Sequence, residues 1–158
     1  MSGWFIAAAA AAGADLAAKH YIDREFTEDE KRETAGGKVV ITKYENKGGA
    51  LGLLGDRPDL LKAVSAAGLG AAAAHLKDAQ DGRRPWLVRL GLALITGGGI
   101  SNVGERIARG KVTDYLVFPK TPKFMNKIVF NLGDLAIFSG IFITLLGELF
   151  SKKRTGRS

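Results

Sequence analysis

The sequence predicts an all-α membrane fold with four transmembrane helices. Three observations carry that expectation. Four long Ala/Gly/Leu/Ile blocks alternate with dense charged stretches over 158 residues, a length that suits one domain spanning 1–158. Residues 63–74 have no polar face apart from Ser65, whereas a helix of a water-soluble bundle shows polar positions at helical period. Basic residues collect at block edges: Arg83 and Arg84 precede the third block, and Lys152, Lys153, Arg154 and Arg157 follow the fourth. The 46% hydrophobic content averages two opposite kinds of segment and describes neither.

The first block covers about 4–22 and is interrupted by Asp15, Lys19 and His20. No Lys or Arg precedes Trp4, so a cleaved signal peptide would lack its charged region, and the block is expected to stay as a span. Asp23–Glu33 carries both signs and reads as a solvated loop or helix. Lys38–Tyr44 is rich in β-branched residues and reads as a short strand. Gly48, Gly49, Gly52 and Gly55 then mark turns. The second span, about 60–76, is close to the length that crosses a bilayer. A short polar link, 77–85, leads to the third span, about 86–104, which opens on Trp86, at a border where interfacial tryptophans sit. Residues 105–128 are basic, contain Pro119 and Pro122, and read as an extramembrane segment, partly an interfacial helix. The fourth span covers about 132–150.

Orientation follows from basic residues in short loops. Lys77, Arg83, Arg84 and the basic tail belong on the cytoplasmic side, with the N-terminus. Residues 23–58 and 105–131 then face outward, which brings Asp114 and Asp134 near one outer face.

Composition excludes several chemistries. The net charge is +7, but no basic stripe carries the interleaved aromatics that stack bases, so a nucleic-acid partner is not expected. With no cysteine, the chain has no disulfide, no thiolate metal site, no cysteine nucleophile and no cysteine of its own to lipidate. His20 and His75 are isolated, and neither a metal nor a cofactor is expected. Gly97–Gly104 lacks the Lys-Ser/Thr of a phosphate-binding loop, so close helix packing is the expected role of its glycines.

The carboxylates carry the chemistry. A charge at the centre of a span costs about 2.5–3.5 kcal/mol, so one kept there generally has work to do. Asp134 lies at the outer start of the fourth span and Asp114 in the outer segment before it. Two carboxylates in one low-dielectric site cannot both ionise comfortably; one holds a proton while the other stays charged. Such a pair supplies a base for water and an acid for a leaving amine. On spacing alone, Asp114 also fits a surface loop and Asp134 a helix N-cap. Asp15 stands four residues before Lys19, the order of a helical ion pair, and fits a structural or a site role.

Five segments, in order, resemble the lipoprotein signal peptidase (signal peptidase II) family. Asp15-Leu16-Ala17-Ala18-Lys19 resembles its first-span Asp and Lys, and Asn46-Lys47-Gly48-Gly49-Ala50-Leu51-Gly52 its Asn-x-Gly-Ala-Ala-Phe segment. Gly97-Gly98-Gly99-Ile100-Ser101-Asn102-Val103-Gly104-Glu105-Arg106 is similar to Gly-Gly-x-x-Gly-Asn-x-x-Asp-Arg. Gly110-Lys111-Val112-Thr113-Asp114-Tyr115 and Phe130-Asn131-Leu132-Gly133-Asp134 resemble the two segments that carry the family's catalytic aspartates. Glu105 stands where the family has Asp, Ser101 and Gly133 where it has Gly and Ala, and Leu51 where it has Phe.

The resemblance implies an aspartic endopeptidase in the bacterial inner membrane with its site at the outer face. It would remove the signal peptide from diacylglyceryl-modified prolipoproteins, cutting on the N-terminal side of the lipidated Cys. Asp114 and Asp134 would be catalytic, Asn46, Asn102, Arg106 and Asn131 would bind substrate, and Asp15, Lys19 and Glu105 would support them. Residues 36–57 would form a small β-cradle and 107–128 an interfacial helix. Membrane lipids and globomycin-type cyclic peptides would be its other ligands. Glu105→Asp would restore the family residue, with a neutral or activating effect. Two other readings stay open: an inactive or weak paralogue that binds lipidated peptides, and a small transporter that relays protons through Asp15 or Asp134, for which the halves show no internal repeat.

Overall fold

Each of the four apolar blocks folds as one helix: α1 Gly3–Glu25, α2 Pro58–Asp78, α3 Trp86–Arg109 and α4 Leu132–Thr155. The structure is a computed structural model that describes residues 3–28, 30–49, 54, 56–122, 125–126 and 128–155. Pro58 sits in the first turn of α2, where its missing N–H costs nothing, with Asp59 beside it and His75 and Lys77 in the last turn, each placed to suit the helix dipole. α3 stops at Gly110, whose φ of 72° is left-handed and whose N–H donates to the Arg106 carbonyl at 2.9 Å. That reversal sends the chain back toward the bundle as a strand.

α3 is the central helix, and its glycine run explains why. Successive helical positions point about 100° apart. A Cβ on Gly97 would strike the Ala8 carbonyl of α1, and one on Gly98 the Gly133 carbonyl of α4; one on Gly99 would lie 3.1 Å from Leu69 of α2. Three neighbours in sequence thus let three helices approach closely, as the sequence led us to expect.

A three-stranded antiparallel sheet, β1 Lys31–Thr34, β2 Val39–Asn46 and β3 Val112–Val117, lies in the order β1-β2-β3. β2 fulfils the expected strand and falls within the expected cradle, part of which (50–53 and 55) lies outside the described residues. β1 comes from the segment read as a solvated loop or helix. The interfacial helix expected over 107–128 is not found among the described residues of that range, which exclude 123, 124 and 127. α3 runs on to Arg109, and Val112–Val117 pairs with β2 instead. Val112, Thr113, Tyr115 and Val117 are β-branched or aromatic and suit a strand, and pairing with β2 places Val112, Thr113 and Tyr115 in buried positions.

The polarity of the molecule is inverted. Asp15 and Asn131 are wholly enclosed, while Phe142 of α4 is 63% exposed, with Phe138, Ile141, Leu145 and Leu149 beside it on the outside. An apolar surface this continuous belongs against lipid. Among the described residues, α3 and Leu132–Ser151 of α4 are long and apolar enough to cross a membrane. In α1 the Asp15–Lys19 pair, buried inside the bundle, lowers the apolar character of an otherwise alanine-rich helix.

Candidate active site

Asp114 and Asp134 reach one place by different routes. β3 pairs with β2 with a one-residue shift between Ile41 and Tyr44. Beyond the shift Tyr44 faces Asp114 and Asn46 faces Val112, so Asn46 lies diagonal to Asp114 on the same face of the sheet. Asn46 Nδ2 donates to Asp114 Oδ2 at 2.8 Å. Without the shift Asn46 would point to the opposite face.

Phe130 fastens the start of α4 to β3. Its carbonyl accepts from the N–H groups of Tyr115 and Leu116 at 2.8 and 2.7 Å, and its N–H donates to the Leu116 carbonyl at 2.8 Å. Asn131 then caps α4. Its Oδ1 accepts from the Asp134 N–H at 2.7 Å, and Asp134 Oδ2 accepts from the Asn131 N–H at 3.2 Å, a reciprocal capping box. Asn131 Nδ2 meanwhile donates to Asp114 Oδ1 at 2.6 Å. One asparagine side chain therefore holds both aspartates. The N-cap fitted to Asp134 from the sequence is made by Asn131, with Asp134 as its partner.

A buried chain of charges stands behind the pair. Asp134 Oδ1 accepts from Asn102 Nδ2 at 2.8 Å, and Asn102 Oδ1 accepts from Lys19 Nζ at 2.7 Å. Lys19 pairs with Asp15 at 2.8 Å. Asp15 also accepts from Ser101 Oγ at 2.6 Å and from the Tyr115 hydroxyl at 3.0 Å. Burial pushes Asp114 up to about 7, and the neighbouring Asp134 carboxylate adds to the rise, while the Asn46 and Asn131 amides pull the other way. Burial, then the Asp15 carboxylate, likewise raises the Tyr115 hydroxyl.

Both aspartates line a cavity of about 360 Å³. Asn46, Asn102 and Arg106 complete its polar end; Leu61 and Leu69 of α2 and Ile137 and Phe138 of α4 form apolar walls. The profile of the family described as Signal peptidase (SPase) II matches residues 7–150. The chain belongs to the signal peptidase II family. Among curated relatives, the lipoprotein signal peptidase of Moorella thermoacetica is 32% identical over 144 residues, covering 90% of each chain. That of Gloeobacter violaceus is 31% identical over 154 residues, 96% of this chain and 85% of its own. That of Streptococcus pneumoniae is 30% identical over 138 residues, 87% and 86%. A solved bacterial membrane enzyme superposes with a TM-score of 0.82 at 21% identity, over 100% of this chain and 93% of its own. This protein is thus a peptidase of the signal peptidase II family with a bacterial membrane-enzyme fold.

In this family member Glu105 is a buried strut between α3 and β3. It accepts from the Thr113 N–H at 3.1 Å, the Thr113 hydroxyl at 2.8 Å and Arg109 at 2.8 Å, and it meets Lys19 at 3.3 Å. Arg106 instead donates to the Gly48 carbonyl at 2.9 Å, holding the turn after β2, while its buried Nε has no partner among the described residues. All nine site positions named from the sequence converge in this one region. Sequence reasoning missed Ser101, Thr113 and the Tyr115 hydroxyl. Ser101 and Glu105 stand four apart, as do Asn102 and Arg106, and two such polar stripes on one apolar helix were the available signal. Thr113 and the Tyr115 hydroxyl gave none, because their partners are distant in sequence.

Proposed function

We propose that this chain is the aspartic endopeptidase that removes the signal peptide from diacylglyceryl-modified prolipoproteins, cutting on the N-terminal side of the lipidated Cys. Asp114 and Asp134 are the catalytic pair, within a single membrane domain of four spans whose site lies at the outer face of the bacterial inner membrane. The observation that carries this reading is Asn131, whose one side chain binds Asp114 and caps the helix that presents Asp134.

In the resting pair Asp114 holds the shared proton. Asp134 sits in the first turn of α4, where the helix N-terminus favours negative charge, and accepts a backbone N–H, so it is the ionised partner. Asp134 takes a proton from water as the water oxygen attacks the scissile carbonyl, and Asp114 donates its proton to the departing cysteine amine. Arg106 lines the cavity wall and is placed to hold substrate. The apolar walls from α2 and α4 receive the signal helix and the diacylglyceryl chains from the bilayer.

The test uses protein purified in detergent and a diacylglyceryl-modified lipobox peptide. Cleavage before the Cys is expected, with block by globomycin. Asp114→Asn and Asp134→Asn should each lower turnover about a thousandfold or more in folded protein. Full activity in either variant would overturn the assignment of the pair.

A further inference from the structure

A second cavity, about 560 Å³, lies at the other end of α3 and α4, bordered by Gly82, Arg83, Arg84, Trp86, Arg89 and Phe150. Asn102, which touches Asp134, lies sixteen residues after Trp86 on α3, so about 24 Å along the helix separates this cavity from the aspartates, most of the apolar thickness of a bilayer. Three guanidinium groups face it. Arg84 meets Glu148 at 2.6 Å and Arg83 meets Asp81 at 3.2 Å, so each is paired with an acid at the rim. Arg89 is different. It lies 5.5 Å over the Trp4 ring, and its Nε is buried without a hydrogen-bond partner among the described residues. Among the described residues no acid pairs with Arg89, so its charge stands uncompensated at the cavity wall.

The first turn of α3 points the same way. It holds no acidic residue, and Pro85 at its N-cap offers no side-chain cap, so among the described residues the N–H groups at Trp86 and Leu87 have no side-chain acceptor. Free helix N–H groups and arginines together are a seat for an oxyanion. The oxygens of a phosphate match the fork of a guanidinium better than a halide does. Trp86 is 59% exposed and Phe150 55% exposed at the rim, which gives the seat an apolar margin suited to acyl chains.

We propose that this cavity binds the phosphate of an anionic phospholipid, in the leaflet opposite the aspartates. Arg89 and the first turn of α3 grip the phosphate, and Arg83 and Arg84 at the rim raise the local positive potential that selects an anionic over a zwitterionic headgroup.

The experiment takes full-length protein freed of lipid in detergent. It compares retention of dioleoylphosphatidylglycerol and dioleoylphosphatidylcholine by native mass spectrometry. The wild type is expected to retain the glycerol lipid about tenfold better, because the arginines favour a headgroup of net negative charge. The double change Arg83→Gln with Arg84→Gln, at exposed positions that do not endanger folding, should bring the preference to about twofold or less. Arg89→Gln should weaken retention of both lipids about tenfold, because both carry the phosphate it grips. Equal retention of the two lipids by the wild type, an undiminished preference in the double variant, or unchanged retention of both lipids by Arg89→Gln would overturn the proposal. Added inorganic phosphate should displace the glycerol lipid. If inorganic phosphate stabilises the protein through Arg89 while the lipids are not distinguished, the ligand is a free anion and the lipid assignment is overturned. Asp114→Asn should leave the preference intact, so this reading is judged separately from the peptidase assignment.

Discussion

Replacing Asp114 with Asn should change stability in a way that depends on pH, with a sign fixed by the site. A buried Asp114 at about 7, against an ordinary value of 3.8, binds its proton more tightly in the folded protein than in the unfolded chain. Its contribution to stability is therefore full below 3.8 and is lost as pH rises toward and through 7. Between pH 5 and 8, at about 1.4 kcal/mol per unit, wild-type stability should fall by about 2–3 kcal/mol from this group alone. Asn carries no such proton. It also keeps only one of two acceptors, so the bond from Asn46 or from Asn131 is lost, at a pH-independent cost of about 1 kcal/mol. By pH 5 the wild type has already lost about 1.6 kcal/mol of that contribution, so the variant should be slightly more stable than wild type near pH 5 and about 3 kcal/mol more stable near pH 8. Chemical or thermal unfolding in detergent at a series of pH values, followed by tryptophan fluorescence, measures the difference. A difference that stays flat from pH 5 to 8 would show that Asp114 is not protonated in the folded state, and the acid role given to it would fail.

Three other outcomes are expected. With Asp114 as the acid, kcat/KM for the lipidated peptide should decline by about a decade per unit as pH rises past about 7, since the protonated form is lost there; a rate that holds to pH 9 would refute this. Asn131→Ser keeps an N-cap but cannot reach Asp114, so turnover should fall with a stability loss of about 1 kcal/mol for that bond; Asn131→Ala loses the cap as well, about 1 kcal/mol more, read as a lower melting temperature. Glu105→Asp draws the carboxylate back by about one methylene from Thr113, Arg109 and Lys19. The neutral or activating effect expected from the sequence concerns turnover; for stability we expect a loss of about 1–3 kcal/mol by thermal unfolding, and an unchanged melting temperature would refute the strut.

The four helices were determined locally. Apolar blocks located each of them, but their ends were set by Pro58 at the start of α2 and by Gly110, which stops α3 five residues beyond the expected end at 104. The loop charges put both aspartates near one outer face, but on spacing alone each also fitted another role, because nothing local says that residues 114 and 134 meet; the resemblance singled them out as a pair. β3 was misjudged as part of an interfacial helix because strand pairing with β2 is a long-range bond that no nearby residue announces. The same holds for the one-residue shift that turns Asn46 toward Asp114, and for Glu105, whose partners come from two other elements. Helix formation draws its hydrogen bonds from residues four apart, whereas a site built from α1, α3, β2, β3 and α4 exists only once packing has brought those elements together.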